Sequence, residues 1–166
     1  MGHESDGFER LALGALGGFA GTLAIQALLK ATQTWAPEAV PPLRSEPGHF
    51  MVQQAERLMP SKIRRKIPEA VEQGVGQMLG LGYGLTFGVL YAALRPRGGS
   101  PLADGLILGL ACWAAGYLGW LPATGLMPPI WRQKTPQALA PAADHVVYGM
   151  TTVAAYDWFR RLQRAV

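Results

Sequence analysis

Charge is what this sequence has least of. Asp, Glu, Lys and Arg make up 16% of its 166 residues, well under the roughly 25% of a soluble domain. Cysteine is nearly missing. Cys112 stands alone, which excludes an intrachain disulfide and any cysteine-based metal cluster. Its apolar neighbours make it a small packing residue. Histidine is scarce as well: besides His145 there are only His3, in a polar tail, and His49, too few for a buried bis-histidine haem site. No G-x-S-x-G turn, no phosphate-binding glycine loop closed by Lys-Ser/Thr and no H-E-x-x-H pair occurs. Carboxylates are not paired at a spacing that serves acid–base chemistry. The expectation is a protein with no catalytic residues, no metal and no cofactor.

What is abundant is apolar or small. Hydrophobic residues reach 49%, with 21 glycines and 13 prolines, both above their usual shares of roughly 7% and 5%. So apolar a chain is not a disordered linker. Membrane helices tolerate glycine and proline where neighbouring helices satisfy the backbone. Net charge is +4 and the sequence pI about 9.5. The basic residues flank apolar segments, so the expected partner is the lipid bilayer with its anionic headgroups, not nucleic acid. The opening MGHESDGFER sets Glu4, Asp6 and Glu9 against Arg10, unlike the basic start of a secretory signal. The first apolar segment is therefore expected to belong to the mature protein.

A membrane-spanning helix needs about 20 mostly apolar residues. Leu11 to Leu29, Gln73 to Leu94 and Gly105 to Trp131 qualify, the last with prolines at its far end. Leu139 to Phe159 is a weaker fourth, interrupted by Asp144, His145 and Asp157. Between the first two lies a long connection, residues 31–68, whose Pro-rich start should be irregular. Its second part, residues 48–67, sets Met51, Ala55, Leu58 and Met59 at helical spacing, with charge on the other face. That predicts an interfacial amphipathic helix with Lys62, Arg64, Arg65 and Lys66 towards lipid phosphate. Pro60 should break or kink it. Pro68 should open the next helix, where Glu69 and Glu72 favour the positive end.

Self-similarity is the strongest signal. Tyr83-Gly84-Leu85-Thr86, Tyr91 and Arg95 read Y-G-x-T-x4-Y-x3-R, and so do Tyr148-Gly149-Met150-Thr151, Tyr156 and Arg160. Pro41-Pro42-Leu43-Arg44 follows the first span and Pro128-Pro129-Ile130-Trp131-Arg132 the third. Two units are thus expected in a single membrane domain, residues 1–166. The first covers about 9–97 with the amphipathic insert, the second about 102–164. The weak fourth segment copies a convincing second one and is expected to cross as well. Each unit crosses twice, so the two are parallel repeats about an axis along the membrane normal. The predicted fold is an all-α bundle of four transmembrane helices in two hairpins, plus the interfacial helix.

Gly76, Gly80, Gly84 and Gly88 recur every four residues on one helix face. Gly14, Gly18, Gly105 and Gly109 repeat the spacing on the first and third spans. Such faces let helix backbones approach closely, within the monomer or against a partner. His145 corresponds to Gly80 on the stripe and should point into the bundle. A protonatable residue inside a membrane helix is a candidate site, and Asp144, Tyr148, Tyr83 and Gln77 are the polar residues grouped with it. The competing reading is a structural histidine bonded to a carbonyl, Gln73 or Gln77. Adjacent helical residues do not face each other, which argues against an Asp144–His145 dyad. Tyr91, Tyr156, Trp120, Trp131 and Trp158 fit an interfacial aromatic belt.

With four spans, Arg10, Arg95, Arg97, Arg160, Arg161 and Arg164 share the side of the termini. They are concentrated at helix ends and in a short loop, which predicts cytoplasmic termini. More cations lie on the other side, diluted through the long loop among glutamates.

The loop Val40-Pro41-Pro42-Leu43-Arg44-Ser45 and the stretch from Asp144-His145 to Arg160-Arg161-Leu162 resemble the YagU-like inner-membrane proteins. The shared features are a PP-R loop after the first span and a His-bearing last helix ending in a basic doublet. Asp144 and the strong glycine stripe depart from that pattern. The resemblance implies a bacterial inner-membrane location and no assigned reaction. The leading expectation is an accessory or scaffold subunit packing against other membrane subunits, or against its own copies, in a larger complex. The alternatives are a small transporter or proton relay using His145, Tyr148 and Tyr83, and a lipid- or quinone-binding module using the basic helix.

Overall fold

The computed structural model describes residues 2–95 and 100–165, with side chains from residue 7 onward except Arg64. Arg97 lies outside the described residues. All regular secondary structure among the described residues is helical. In order it runs α1 (Gly2–Trp35), α2 (Pro47–Arg57), α3 (Ser61–Arg64), α4 (Glu69–Leu94), α5 (Pro101–Trp113), a π-type segment (Ala114–Trp120), α6 (Leu121–Ala123) and α7 (Thr135–Arg164). Short 3-10 turns sit at Pro37–Ala39 and Ile130–Arg132.

Proline punctuates these elements, because a residue before proline avoids the helical region and a proline at a helix start gives up no needed donor. Thus α1 stops ahead of Pro37, α4 stops at Arg95 ahead of Pro96, and α2, α5 and α7 each begin with a proline at their first or second position. Pro60 separates α2 from α3 as expected. Pro68 is the N-cap residue of α4, with Glu69 and Glu72 in its first turn.

Three helical stretches are long and apolar enough to cross a membrane: Gly7–Trp35, Glu69–Leu94 and Pro101–Ala123. The third ends eight residues before the expected Trp131, because Pro122 and the Thr124-Gly125 turn close it. It is also interrupted. Gly119, at φ −97° and ψ −107°, leaves helical geometry inside the π-type segment. The fourth helix, α7, exists and spans 30 residues, about 45 Å at 1.5 Å per residue, but its charges keep it outside that apolar class. The outer surface is apolar: Leu23, Met78, Ile107 and Leu118 are all more than half exposed.

Across the bundle the long helices lie in the order α4, α1, α7, α5, with α2 packed on α4. Each sequential pair is antiparallel, and glycine makes the seams. A methyl group on Gly14 would come within 2.6 Å of the Gly88 carbonyl oxygen, and one on Gly18 within 2.7 Å of the Gly84 oxygen. In the second pair, Gly149 sits in the notch between Gly105 and Gly109. Thr22 fills the notch beside Gly84 and returns its hydroxyl to the Gly18 carbonyl at 2.8 Å.

The register of these notches relates the two hairpins. Gly84 is held between Gly18 and Thr22, as Gly149 is between Gly105 and Gly109. Gly18 therefore matches Gly105, the same displacement along the chain that takes Pro41 to Pro128. In this register Gly17 and Gly21 of α1 match Asp104 and Leu108 of α5. The exchange explains an asymmetry. Gly17 and Gly21 let α7 come close, packing on Thr152, Tyr156 and Tyr148. Asp104 and Leu108 hold α4 away from α5, so these two helices meet at only a few points.

Most of the α4 glycine stripe is used inside the chain, but not all of it. Gly84 and Gly88 pack on α1, and Gly76 packs on Gly48 and His49 of α2. Gly80 is the exception within the chain: it is exposed, and nothing lies within 4 Å of its added methyl. On α2, Gly48, Val52 and Glu56 are buried against α4, leaving Met51, Leu58 and Met59 exposed.

Candidate functional site

The end of the bundle where α4 and α7 finish and α5 begins carries the densest polar chemistry. Arg95 follows the last turn of α4. Its guanidinium donates to Asp157 Oδ1 of α7 at 2.7 Å, and its Nε lies 3.4 Å from Asp104 Oδ2 of α5. Tyr91, one turn earlier, donates its hydroxyl to the same Asp104 oxygen at 3.2 Å. The three charged side chains are 11–18% exposed. One arginine thus joins three helices, and the pairing gives Asp157 of α7 a charged partner. Breaking so shielded a pair leaves a charge uncompensated, which is costly.

Tyr91 and Tyr156 meet edge to face, with ring centres 5.3 Å apart. The Arg95 guanidinium lies 5.8 Å from both rings, and Arg160 lies 5.6 Å from Tyr156. The tyrosines that recur in the two sequence motifs therefore face each other across the bundle, and both recurring arginines lie over the Tyr156 ring. Arg160 also lines a cavity of about 240 Å³ together with Arg95, Pro101, Asp157, Arg161 and Arg164. Arg95 and Arg160 accordingly sit at one end of the molecule.

The earlier tyrosines of the motifs act as ties. Tyr148 reaches from α7 to the Gly84 carbonyl of α4 at 2.5 Å, so the tyrosine of one Y-G pair bonds the glycine of the other. Tyr83 reaches from α4 to the Cys112 carbonyl of α5 at 3.3 Å, spanning the gap that Asp104 and Leu108 create. Thr86 returns its hydroxyl to Gly82 of its own helix. Cys112 is buried, as expected of a packing residue.

The polar set grouped around His145 does not assemble. His145 donates Nδ1–H to the Pro141 carbonyl one turn back, at 2.7 Å, and its ring packs edge-on against Tyr117, 5.7 Å away. Tyr148 and Tyr83 are committed to other carbonyls. Gln77 is exposed on α4, and Asp144 makes no hydrogen bond among the described residues. What surrounds the imidazole is the π-type segment, through Tyr117, which sequence spacing had no means of placing there. The local geometry is that of a histidine tied to its own helix.

At the opposite end the two Pro-Pro loops come together. Arg44 N–H donates to the Leu126 carbonyl at 2.9 Å, and Leu43 and Phe50 cover Tyr117, Leu121, Leu126 and Met127. Glu46 caps α2 through Gly48 and His49 N–H, and His49 reaches Glu72 of α4 at 3.3 Å. Lys62, Arg65 and Lys66 are exposed beside Leu58, Met59 and Ile63. The Arg64 side chain lies outside the described part.

Two features of this arrangement were missed in the sequence. Gly17 and Gly21 have the same four-residue spacing as Gly14 and Gly18, and that spacing was legible. The Arg95, Asp104 and Asp157 cluster had no such signal, because its members are far apart in the chain. No family model matches the chain, and neither a curated protein nor a solved structure matches it.

Proposed function

We propose that this chain is a four-span membrane protein of two parallel hairpin units, and that it serves as a non-catalytic accessory subunit packing against another membrane subunit. The reading of α7 as a span is supported by its length and by the partner that Arg95 provides for Asp157. The parallel-repeat reading is supported by the Tyr91–Tyr156 contact and by the matching glycine notches. Residues near an axis of pseudosymmetry meet their own copies, as these do. Membership among YagU-like proteins, a bacterial inner-membrane location and cytoplasmic termini remain part of this proposal. They rest on the motif and charge patterns of the sequence.

The observation that carries the accessory role is the glycine left bare on α4. Gly80, in the stripe between the Gly76 and Gly84 contacts, and Gly74 and Gly82, on other faces of the helix, are exposed with nothing within 4 Å of an added methyl. A glycine in a helix costs about 1 kcal/mol relative to alanine, and these three gain no packing within the chain in return. Gly80 would let a second membrane helix approach the stripe closely. The α2–α3 region fits the same picture as an interfacial collar, its exposed apolar side towards acyl chains and Lys62, Arg65 and Lys66 towards headgroups. The proton-relay reading draws no support from the tied imidazole of His145.

Gentle solubilisation from native membranes, followed by identification of what stays bound, tests the role. The expected result is a stoichiometric membrane protein or a second copy, lost when Gly80 is replaced by leucine. A chain that runs as a lone monomer with nothing co-purifying would overturn it.

A further inference from the structure

We infer that the cavity lined by Arg160, Arg161 and Arg164 is a binding site for a phosphate group. Four arginines and one aspartate line it. Of these, Arg95 already faces Asp157 and Asp104. The other three make no ion pair among the described residues, so the cavity keeps an excess of three positive charges. Arg160 is held against the Tyr156 ring, and Arg161 and Arg164 are exposed one turn apart on α7. Pro101, the first residue of the 13-residue helix α5, forms another wall, and the Ser100 side chain does not cap that helix. The positive end of α5 therefore adds to the arginine field.

Arginines in a last helical turn complement the helix dipole. That alone does not bring them together with the start of another helix around a cavity. The volume of about 240 Å³ equals roughly eight waters at 30 Å³ each, which is room for a phosphate and the carbons next to it. Guanidinium groups match phosphate oxygens in pairs, which a single-point cation does not do. A phosphate offers three acceptor oxygens against a carboxylate's two, so it engages more of the arginines at once. The phosphate belongs either to a lipid headgroup or to a free ion, and the two sources are separable by experiment.

The test is calorimetric titration of the full-length protein, in non-ionic detergent, with short-chain phosphatidic acid, short-chain phosphatidylcholine and inorganic phosphate. Phosphatidic acid should saturate one site. The Arg161→Gln/Arg164→Gln variant should weaken it by about fivefold for each arginine removed. Both side chains are exposed, so this variant keeps the fold. The Lys62→Gln/Lys66→Gln variant removes equal charge at the other end and should change binding less than twofold. Displacement of the lipid by inorganic phosphate would identify a free-ion site, and resistance to displacement a headgroup site. Equal weakening by the two variants, equal binding of the zwitterionic lipid, or no saturation by either phosphate compound would overturn the inference.

Discussion

Alanine at Gly88 and alanine at Gly80 should have opposite consequences, although both glycines belong to one stripe of α4. A methyl on Gly88 would collide with the Gly14 carbonyl and come within 2.7 Å of the Gly18 nitrogen and 2.8 Å of its Cα. All three are backbone atoms, which cannot rotate aside, so the α1–α4 seam must open by about 1 Å to restore normal contact. A gap of that size forfeits a quarter to a half of each atom pair's roughly 0.15 kcal/mol. If the seam carries about 50 such pairs, as one buried leucine does, the loss is roughly 2–4 kcal/mol. No hydrophobic drive recovers it, because lipid tails are as apolar as the seam. At Gly80 the methyl meets nothing, and helix propensity favours alanine by at most about 1 kcal/mol. The gain is smaller where the helix persists without its neighbours, as in a membrane. Unfolding in mixed anionic and non-ionic micelles, followed by tryptophan fluorescence, measures both. If the two variants fall within about 0.5 kcal/mol of each other, the packing derived from the notches is wrong.

Four further outcomes are expected. Replacing Tyr148 with phenylalanine removes the bond to the Gly84 carbonyl and should cost about 1 kcal/mol in the same unfolding assay; no change would mean that this tie is not formed. A double-mutant cycle on Arg95→Gln and Asp157→Asn should return a coupling of about 1–3 kcal/mol, and additive effects would show that the pair does not hold α7 to α4. In a Cys112→Ser background, cysteines at Ser100 and Gln163 should react with an impermeant reagent from one membrane face and those at Met59 and Thr124 from the other. Labelling of all four from one face would end the four-span proposal. His145→Phe should leave the proton permeability of proteoliposomes at the level of the unaltered protein; a proton flux that this substitution abolishes would restore the relay.

The positions of the long helices were legible because their causes are local. Runs without charge, prolines at the boundaries and each Y-G-x-T-x4-Y-x3-R motif lie within a single helix or at its ends. The existence of α7 was legible only through its resemblance to α4, since Asp144 and Asp157 hide it from composition. Part of the polar grouping failed for a similar reason. Gln77 and His145 share a sequence class, but the depth and facing of each depend on which neighbour its helix meets.

By itself, the sequence determined that the chain is helical, that three of its helices are apolar enough for a membrane, and roughly where each one lies, although the third stops short of the expected Trp131. These follow from backbone chemistry and transfer energies, which need no distant contact. Tertiary structure alone decided that α1 and α7 lie at the centre, that Gly80 stays bare while Gly88 is filled, and that Arg95 meets Asp104 and Asp157. The physical reason is that a glycine permits close approach without choosing who approaches. The choice fell to steric bulk elsewhere: Gly17 and Gly21 admit α7, while Asp104 and Leu108 at the matching positions keep α4 at a distance.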